Sequence, residues 1–149
     1  MKTVNTLLKP VKVKKVTKKK TRGLSDANLL RLRREVVYSL FGNCCFFCGK
    51  PKGQVELQDH HFGAKRKMFL LRYDWRNGLP VCEYGCHSYA ETPTGKHLIN
   101  EYILKNGFME YLQERSGNCK DFLLARKMTK DDYRLLMYND LTAKLRELK

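Results

Sequence analysis

Apolar residues recur every three or four positions soon after the N-terminal lysines, and this spacing predicts an amphipathic helix. Ser25 is a favourable N-cap for this helix, and Gly42 is expected to end it. We therefore expect a leading helix over residues 25–41. Its apolar face consists of Leu29, Leu32, Val36 and Leu40.

A second apolar stripe lies near the C-terminus, where Thr129 and Asp132 form the capping box of a helix. Two shorter helices are expected before it, over 98–104 and 108–112, and the C-terminal helices together are expected to occupy 96–149. The stripe predicts packing within the chain or between two copies of it, as a homodimer. Its members are Tyr133, Leu136, Met137, Leu141, Leu145 and Leu148.

The middle of the chain has a different period. Apolar and polar residues alternate over 54–62, which predicts a strand. This strand is expected to end on three polar residues, Asp59, His60 and His61. A loop over 63–76 and a second short strand over 77–82 follow, and a helix is expected to begin near Cys86. Helices on both sides of two strands predict an α+β fold.

The charge balance restricts the class of partner. The 149 residues contain 30 Lys and Arg against 15 Asp and Glu, a net charge of +15. This excess favours nucleic acid as partner over an acidic membrane surface, without separating DNA from RNA. The longest apolar run, Cys44 to Cys48, has five residues against the ~20 that cross a bilayer, so no membrane-spanning segment is expected. The arginines of the leading helix are expected to form a solvated face rather than to contact DNA: Arg31, Arg33 and Arg34.

Much of the positive charge lies in an N-terminal arm. Residues 1–22 contain nine Lys and Arg and no acid, so this segment is expected to be disordered. Near DNA it would add salt-sensitive affinity without sequence preference, and a solubilising or targeting tail is the alternative interpretation. We expect a basic arm over 1–24 and a single domain over 25–149.

Four of the six cysteines form two spaced pairs, Cys45 with Cys48 and Cys82 with Cys86. The first pair is a C-x2-C knuckle and the second is C-x3-C. Four thiolates fit a closed tetrahedral zinc site, which stabilises the fold and leaves no open position for chemistry. The N-terminus lacks the apolar segment of a secretory signal, so we expect a reducing cytoplasmic compartment, where cysteines bind metal. The other two cysteines are expected to be small buried apolar residues: Cys44 and Cys119.

Three of the four histidines lie between or beside the cysteine pairs: His60, His61 and His87. Isolated structural histidines would scatter along the chain, so this clustering predicts a shared site. Adjacent strand residues point to opposite faces of a sheet. His60 and His61 could therefore serve one site only at a twisted or frayed end of the strand.

The predicted loop over 63–76 combines cations with aromatic residues. Its cations are candidate contacts for a phosphate backbone: Lys65, Arg66, Lys67, Arg72 and Arg76. Phe69, Tyr73 and Trp75 alternate with them. Such aromatic residues could stack on bases, but a small core under the loop is the expected arrangement.

From the first knuckle to Glu91, the sequence resembles the HNH endonucleases of the ββα-metal, or His-Me finger, class. That family has a CxxC knuckle, a strand ending in Asp-His or His-His, an Asn five residues before a Cys, and a second knuckle followed by a His. The matching positions are Cys45 and Cys48, His60-His61, Asn77 before Cys82, and Cys86-His87. The sequence departs from the pattern in its C-x3-C pair and in Asp59, whose place before two histidines leaves the register of the motif open.

The resemblance implies a zinc-braced ββα-metal finger over residues 44–92, flanked by helices. In the favoured register, His60 and His87 hold a catalytic divalent ion, and His61 is the general base. Asn77 supports the base. In the alternative register, Asp59 is the metal ligand and His60 is the base. Imidazole ligands accept Mn, Co, Ni or Zn as well as Mg, so the activating metal stays open.

The function implied by the resemblance is metal-dependent hydrolysis of phosphodiester bonds in DNA. One finger makes one cut, so a monomer would nick a duplex. The resemblance is closest to small phage and mobile-element proteins, which implies the cytoplasm of a bacterial or phage-infected cell. The alternative is a non-catalytic, zinc-stabilised nucleic-acid-binding module, which explains the cysteines and the charge but not the positions of the histidines.

Overall fold

The computed structural model describes residues 24–62 and 68–149. In this part of the chain, helices surround a two-stranded antiparallel sheet of β1 (Leu57–His61) and β2 (Gly78–Cys82), so the prediction of an α+β fold is confirmed. The basic arm predicted over residues 1–24 lies outside the described residues except for its last position.

Four helices begin within one residue of the predicted positions, but another, Phe69–Arg72, lies in the segment predicted as a loop over 63–76, so the loop prediction is wrong there because Leu70 and Leu71 are buried in the core. They are α1 (Asp26–Leu40), α2 (Phe69–Arg72), α3 (Cys86–Ala90), α4 (Pro93–Lys105), α5 (Met109–Arg115), α6 (Cys119–Ala125) and α7 (Lys130–Glu147). Helix α4 begins earlier than predicted because the Thr92 hydroxyl accepts a hydrogen bond from the Gly95 amide, 3.1 Å away. Among the described helices, none combines the length and the apolar character that crossing a membrane requires.

Helix α1 follows the predicted cap but not the predicted polar face. The Ser25 hydroxyl accepts a hydrogen bond from the Asn28 amide at 3.2 Å, as expected of an N-cap. Arg31 and Arg34 are exposed, but Arg33 is fully buried, so the prediction of a solvated face is wrong for this residue. Arg33 lies on the side of α1 that faces the sheet, where oxygen acceptors surround its guanidinium.

Strand β1 is shorter than the predicted strand over 54–62. The amides of Gln54 and Val55 both donate to the Pro51 carbonyl, 3.0 and 3.3 Å away, so this segment forms a turn. The sheet begins at Leu57, which pairs with Cys82, and its other end pairs His61 with Gly78. The polar end of β1 therefore lies beside the start of β2.

The C-terminal stripe packs inside the chain. Helix α7 has the predicted capping box and lies against α1. Its side chains at Tyr133, Met137 and Leu141 are buried. Leu136 is 43% exposed, so it does not belong to this face.

The connection from β1 to β2 is attached to helix α7. The Tyr133 hydroxyl donates to the Leu70 carbonyl, and the Trp75 ring nitrogen donates to Asp140, 3.0 Å away. Tyr73 and Trp75 are buried, which confirms the prediction that aromatic residues of this segment form a small core. The described part of the connection is therefore packed against the helices.

We expect Leu141→Ala to lower the free energy of unfolding by about 2–5 kcal/mol, because the substitution removes fully buried apolar atoms and leaves a cavity. Leu136→Ala removes the same atoms from an exposed position of α7 and should cost less than ~1 kcal/mol. Urea unfolding followed by circular dichroism measures both values. Equal losses would contradict the assignment of the buried face of α7.

Candidate metal centre and active site

Four cysteine sulfurs converge beside the sheet. The Sγ atoms of Cys45, Cys48, Cys82 and Cys86 all lie within 4.8 Å of one another. Ligands of a tetrahedral zinc ion with Zn–S bonds of about 2.3 Å are about 3.8 Å apart, so this cluster could hold a structural metal ion such as zinc. Within the described residues, no other group of three or more Cys, His, Asp or Glu brings its ligand atoms so close together.

The backbone explains why the two pairs converge. Gly49 has a φ of +70° and donates its amide to the Cys45 carbonyl at 3.0 Å, which closes the first knuckle. The Phe46 amide donates to the Pro80 carbonyl at 2.8 Å and so attaches this knuckle to β2. Cys82 ends β2, and Cys86 begins α3.

The surroundings of the cluster shift the pKa values of Cys45, Cys82 and Cys86. Burial disfavours a thiolate at Cys45, but hydrogen bonds from the backbone amides of Cys48, Cys82 and Phe47 outweigh it and lower the pKa of Cys45 to about 7. Burial raises the pKa of Cys86 to about 11, and the proximity of Cys45 adds to the rise. Thiolates so close together repel one another. A cation bound among the four sulfurs would offset the repulsion between them and favour the thiolate form.

The remaining two cysteines lie outside this cluster. Cys44 and Cys119 are both partly exposed, so the prediction that they are buried is wrong. The Sγ of Cys44 is directed to the Gly42 carbonyl, 3.4 Å away, although Cys44 is adjacent to a member of the cluster.

His60 and His87 lie side by side. Their ring centroids are 5.5 Å apart with the rings nearly perpendicular, and His60 is buried. Burial lowers the pKa of His60, Glu91 partly opposes this shift, and His87 adds to it. The structure therefore favours a neutral imidazole at His60, the form that binds metal ions.

Glu91 extends this pair. Its Oε1 lies 3.7 Å from Nε2 of His60. Two atoms bound to one ion at about 2.1 Å each are at most ~4.2 Å apart, so these two atoms could share an ion. The sequence interpretation missed Glu91, although its position four residues after His87, one helical turn away, was a signal.

Asp59 is occupied elsewhere. Its carboxylate forms an ion pair with the guanidinium of Arg33 from α1, and its side chain is only 10% exposed. Neighbouring strand residues face opposite sides of a sheet, so Asp59 and His60 are directed away from each other. Asp59 therefore does not contribute to the pair of His60 and His87.

His61 is the last residue of β1 and is half-buried opposite Gly78. Alternation along the strand assigns it to the same side of the sheet as Asp59. The strand is regular at this position, so His60 and His61 approach a common substrate only around the end of the strand.

Asn77 lies at the junction of the connection and β2 and is buried. Its Nδ2 donates to the Leu71 carbonyl at 3.3 Å, and its own carbonyl accepts from the Phe62 amide at 3.4 Å and from Arg33 at 2.9 Å. Asn77 thus joins α2, the residue after His61 and the first helix.

The candidate phosphate contacts differ in their surroundings. Lys65, Arg66 and Lys67 lie outside the described residues. Arg72 forms an ion pair with Asp26, and 30% of its side chain is exposed.

Arg76 is largely enclosed. It forms ion pairs with Asp74 and Asp140 at 3.0 and 3.1 Å, and its guanidinium carbon lies 4.4 Å from the ring centroid of Trp75 and 4.5 Å from that of Tyr111. Burial opposes its charge, but the acidic partners outweigh burial and raise the pKa of Arg76. These contacts join the connection to α5 and α7.

The most consequential residue that sequence reasoning missed is Arg33. Complete burial lowers its pKa, and Asp59 opposes this shift. No local pattern marks one of three nearby arginines as buried, because its acceptors come from positions 26, 41 and 44 residues further along the chain.

A comparison of the chain with protein families, with curated proteins and with solved structures finds no match. The geometry of the described residues is therefore the basis for assigning function. It comprises a four-cysteine cluster that could hold zinc, and a pair of histidines beside an acidic side chain.

We expect the purified protein to contain about one zinc ion per chain, and Cys48→Ser to lose both the zinc and the cooperative thermal transition. Cys44→Ser is the matched control, since Cys44 is also a cysteine of the first knuckle region but does not belong to the cluster. Atomic absorption and thermal unfolding provide the two measurements. A stably folded, zinc-free wild-type protein would refute this assignment.

Proposed function

We propose that the chain is a metal-dependent endonuclease of the HNH type that hydrolyses phosphodiester bonds in DNA. The observation that best supports this proposal is the pairing of His60 with His87, whose ring centroids are 5.5 Å apart. His60 is on β1, and His87 is on α3, the helix that follows β2. Two members of the cysteine cluster are on the same elements, since Cys82 ends β2 and Cys86 begins α3.

His60 and His87 would hold the catalytic divalent ion, and the carboxylate of Glu91, 3.7 Å from Nε2 of His60, would join them once the three side chains close around the ion. Two imidazoles and one carboxylate suit Mn, Co, Ni or Zn as well as Mg. When bound, the ion would stabilise negative charge on the scissile phosphate and on the leaving oxygen. A closed four-sulfur site cannot perform this role, since it has no open position for substrate.

His61 would act as the general base and accept a proton from the attacking water at a ring nitrogen. The surroundings of Asp59 favour this register over the alternative, in which Asp59 is the ligand and His60 the base. Asp59 is paired with Arg33, whereas His60 contacts His87. Asn77 would support the base by fixing the chain on both sides of the connection.

The positive charge of the chain supports DNA as the substrate. Arg72 is partly exposed, whereas the contacts of Arg76 are internal, so Arg76 is the weaker candidate for a phosphate contact. Lys130 is a further candidate, because it is exposed and its charged group lies beside α2, 5.2 Å from the ring centroid of Phe69.

The test of this function uses supercoiled plasmid, linear duplex, single-stranded DNA and a four-way junction, each with and without Mg or Mn. We expect wild-type protein to nick at least one substrate and His61→Ala to lower the rate about 10²–10⁴-fold, with zinc content and DNA affinity unchanged, because only the proton acceptor is removed. His97→Ala is the control, since His97 is exposed on α4 beside Glu101.

The companion variants separate the roles. His60→Ala and His87→Ala should also lose activity, but through weaker metal binding, so higher Mn concentrations should partly restore them and should not restore His61→Ala. If His61→Ala cuts normally and His60→Ala has the defect that metal does not restore, the alternative register is correct. If wild-type protein binds DNA and cuts none with any divalent ion, the nucleic-acid-binding module replaces the enzyme.

The basic arm should supply affinity without chemistry. Deleting residues 1–22 removes nine cations, so binding to all DNAs should weaken alike and its salt dependence should flatten by up to ~0.9 in log–log slope per lost phosphate contact. Cleavage at low salt should survive. Filter binding at several salt concentrations measures the slope, and loss of cleavage at saturating DNA would show that the arm belongs to the active site.

A further inference from the structure

The guanidinium of Arg33 contacts two segments that meet at the histidine end of the sheet. Its Nε donates to the Asp74 carbonyl and its Nη2 donates to the Asn77 carbonyl, both at 2.9 Å. Its Nη1 donates to the carboxylate of Asp59. One fully buried side chain from α1 therefore binds β1 and both ends of the short 3-10 turn Trp75–Asn77, which begins at its cap Asp74 and leads into β2.

These acceptors are adjacent to the candidate catalytic residues in the chain. Asp59 immediately precedes His60 in β1. Asn77 immediately precedes Gly78, which is the cross-strand partner of His61. Arg33 thus binds the chain one residue before His60 and one residue before the cross-strand partner of His61.

Gly78 leaves room for this arrangement. A Cβ atom at this position would lie 2.3 Å from Nη2 of Arg33 and 2.9 Å from Oδ1 of Asp59, which is closer than atoms can approach. The φ of Gly78 is −154°, an extended value that any residue can adopt, so only the space beside Arg33 requires glycine. The sheet is therefore built closely around the guanidinium.

We propose that Arg33 is a positioning residue, which holds β1 and β2 in the register that turns His60 toward His87 and sets His61 at the strand end. A slip of one residue would exchange the faces of Asp59, His60 and His61. The three hydrogen bonds of Arg33 oppose such a slip, because its planar fork bonds at once to Asp59 in β1 and to the carbonyl of Asn77, the residue that immediately precedes β2. This proposal rests on the proposed function of the histidines.

The competing explanation is a buried ion pair that only stabilises the fold. Arg33→Lys separates the two explanations, because lysine keeps the positive charge beside Asp59 but cannot reproduce the fork that reaches the carbonyls of Asp74 and Asn77. The double variant Arg33→Met/Asp59→Leu removes both charges and leaves neither one buried alone. Arg34→Lys makes the same substitution one residue further along α1, at an exposed position.

The experiment uses the full-length protein with its zinc bound and has three readouts. Thermal unfolding reports stability. Titration with Mn²⁺, followed by electron paramagnetic resonance, reports the site of His60 and His87. Nuclear Overhauser effects between the ring protons of His60 and His87 report their pairing without any requirement for cleavage. For variants with activity, kcat and KM for the nicking of supercoiled plasmid complete the set.

We expect Arg33→Lys to weaken Mn²⁺ binding at least tenfold, to remove the Overhauser effects between the two rings and to lower kcat with KM unchanged. The double variant should recover thermal stability relative to Arg33→Met alone without recovering these effects. Arg34→Lys should match wild type in every readout. Gly78→Ala provides a variant without a charge change and should weaken Mn²⁺ binding in the same way, because the new methyl group displaces Arg33.

Wild-type Mn²⁺ affinity and intact Overhauser effects in Arg33→Lys would overturn the proposal. The proposal would also be overturned if the double variant recovered Mn²⁺ affinity and the Overhauser effects along with its thermal stability. If wild-type protein cuts no DNA while the Overhauser effects still depend on Arg33, the proposed function fails and the positioning role stands.

Discussion

The buried guanidinium of Arg33 is the contact on which the arrangement of the sheet and the first helix depends. A charge with no exposure to water needs polar partners, and each of the three guanidinium nitrogens donates to an oxygen of Asp59, Asp74 or Asn77. Removing one partner of such a pair typically costs about 3–5 kcal/mol, since the other charge remains buried alone. The position of α1, the end of β1 and the start of β2 are therefore fixed together.

The candidate active site lies between two different anchors. At one end of the hairpin, Cys82 pairs with Leu57 and belongs to the sulfur cluster that also includes the first residue of α3. At the other end, His61 pairs with Gly78 beside Arg33. His87 immediately follows Cys86 of the cluster, and its ring lies beside that of His60. Neither anchor needs to touch substrate to set the separation of the two imidazoles.

Features with a local physical cause could be predicted from the sequence. The caps at Ser25 and Thr129 need only residues three positions away, and the cysteine spacing indicates a metal cluster without knowledge of the fold. The burial of Arg33 and the enclosure of Arg76 could not be predicted, because Asn77 and Asp140, the partners that enclose them, are 44 and 64 residues away and no periodicity connects them. The shortened start of β1 has a different cause, a local turn over residues 51–55 that competes with the apolar alternation.

The segment closed by Arg33 and Asn77 overlaps in sequence with the segment closed by the cysteine cluster, and this overlap affects folding. Contact between Arg33 and Asn77 closes a segment of 44 residues in an otherwise unfolded chain. If a metal ion has already gathered the cysteines, the connecting path shortens to about 17 residues, which lowers the entropic cost of closure by roughly 0.8 kcal/mol. During synthesis from the N-terminus, this shorter path becomes possible only after Cys86 has emerged. The contact between α1 and the start of β2 is therefore less costly to form once the sulfur cluster exists, whereas the contact of Arg33 with Asp59 spans 26 residues without it.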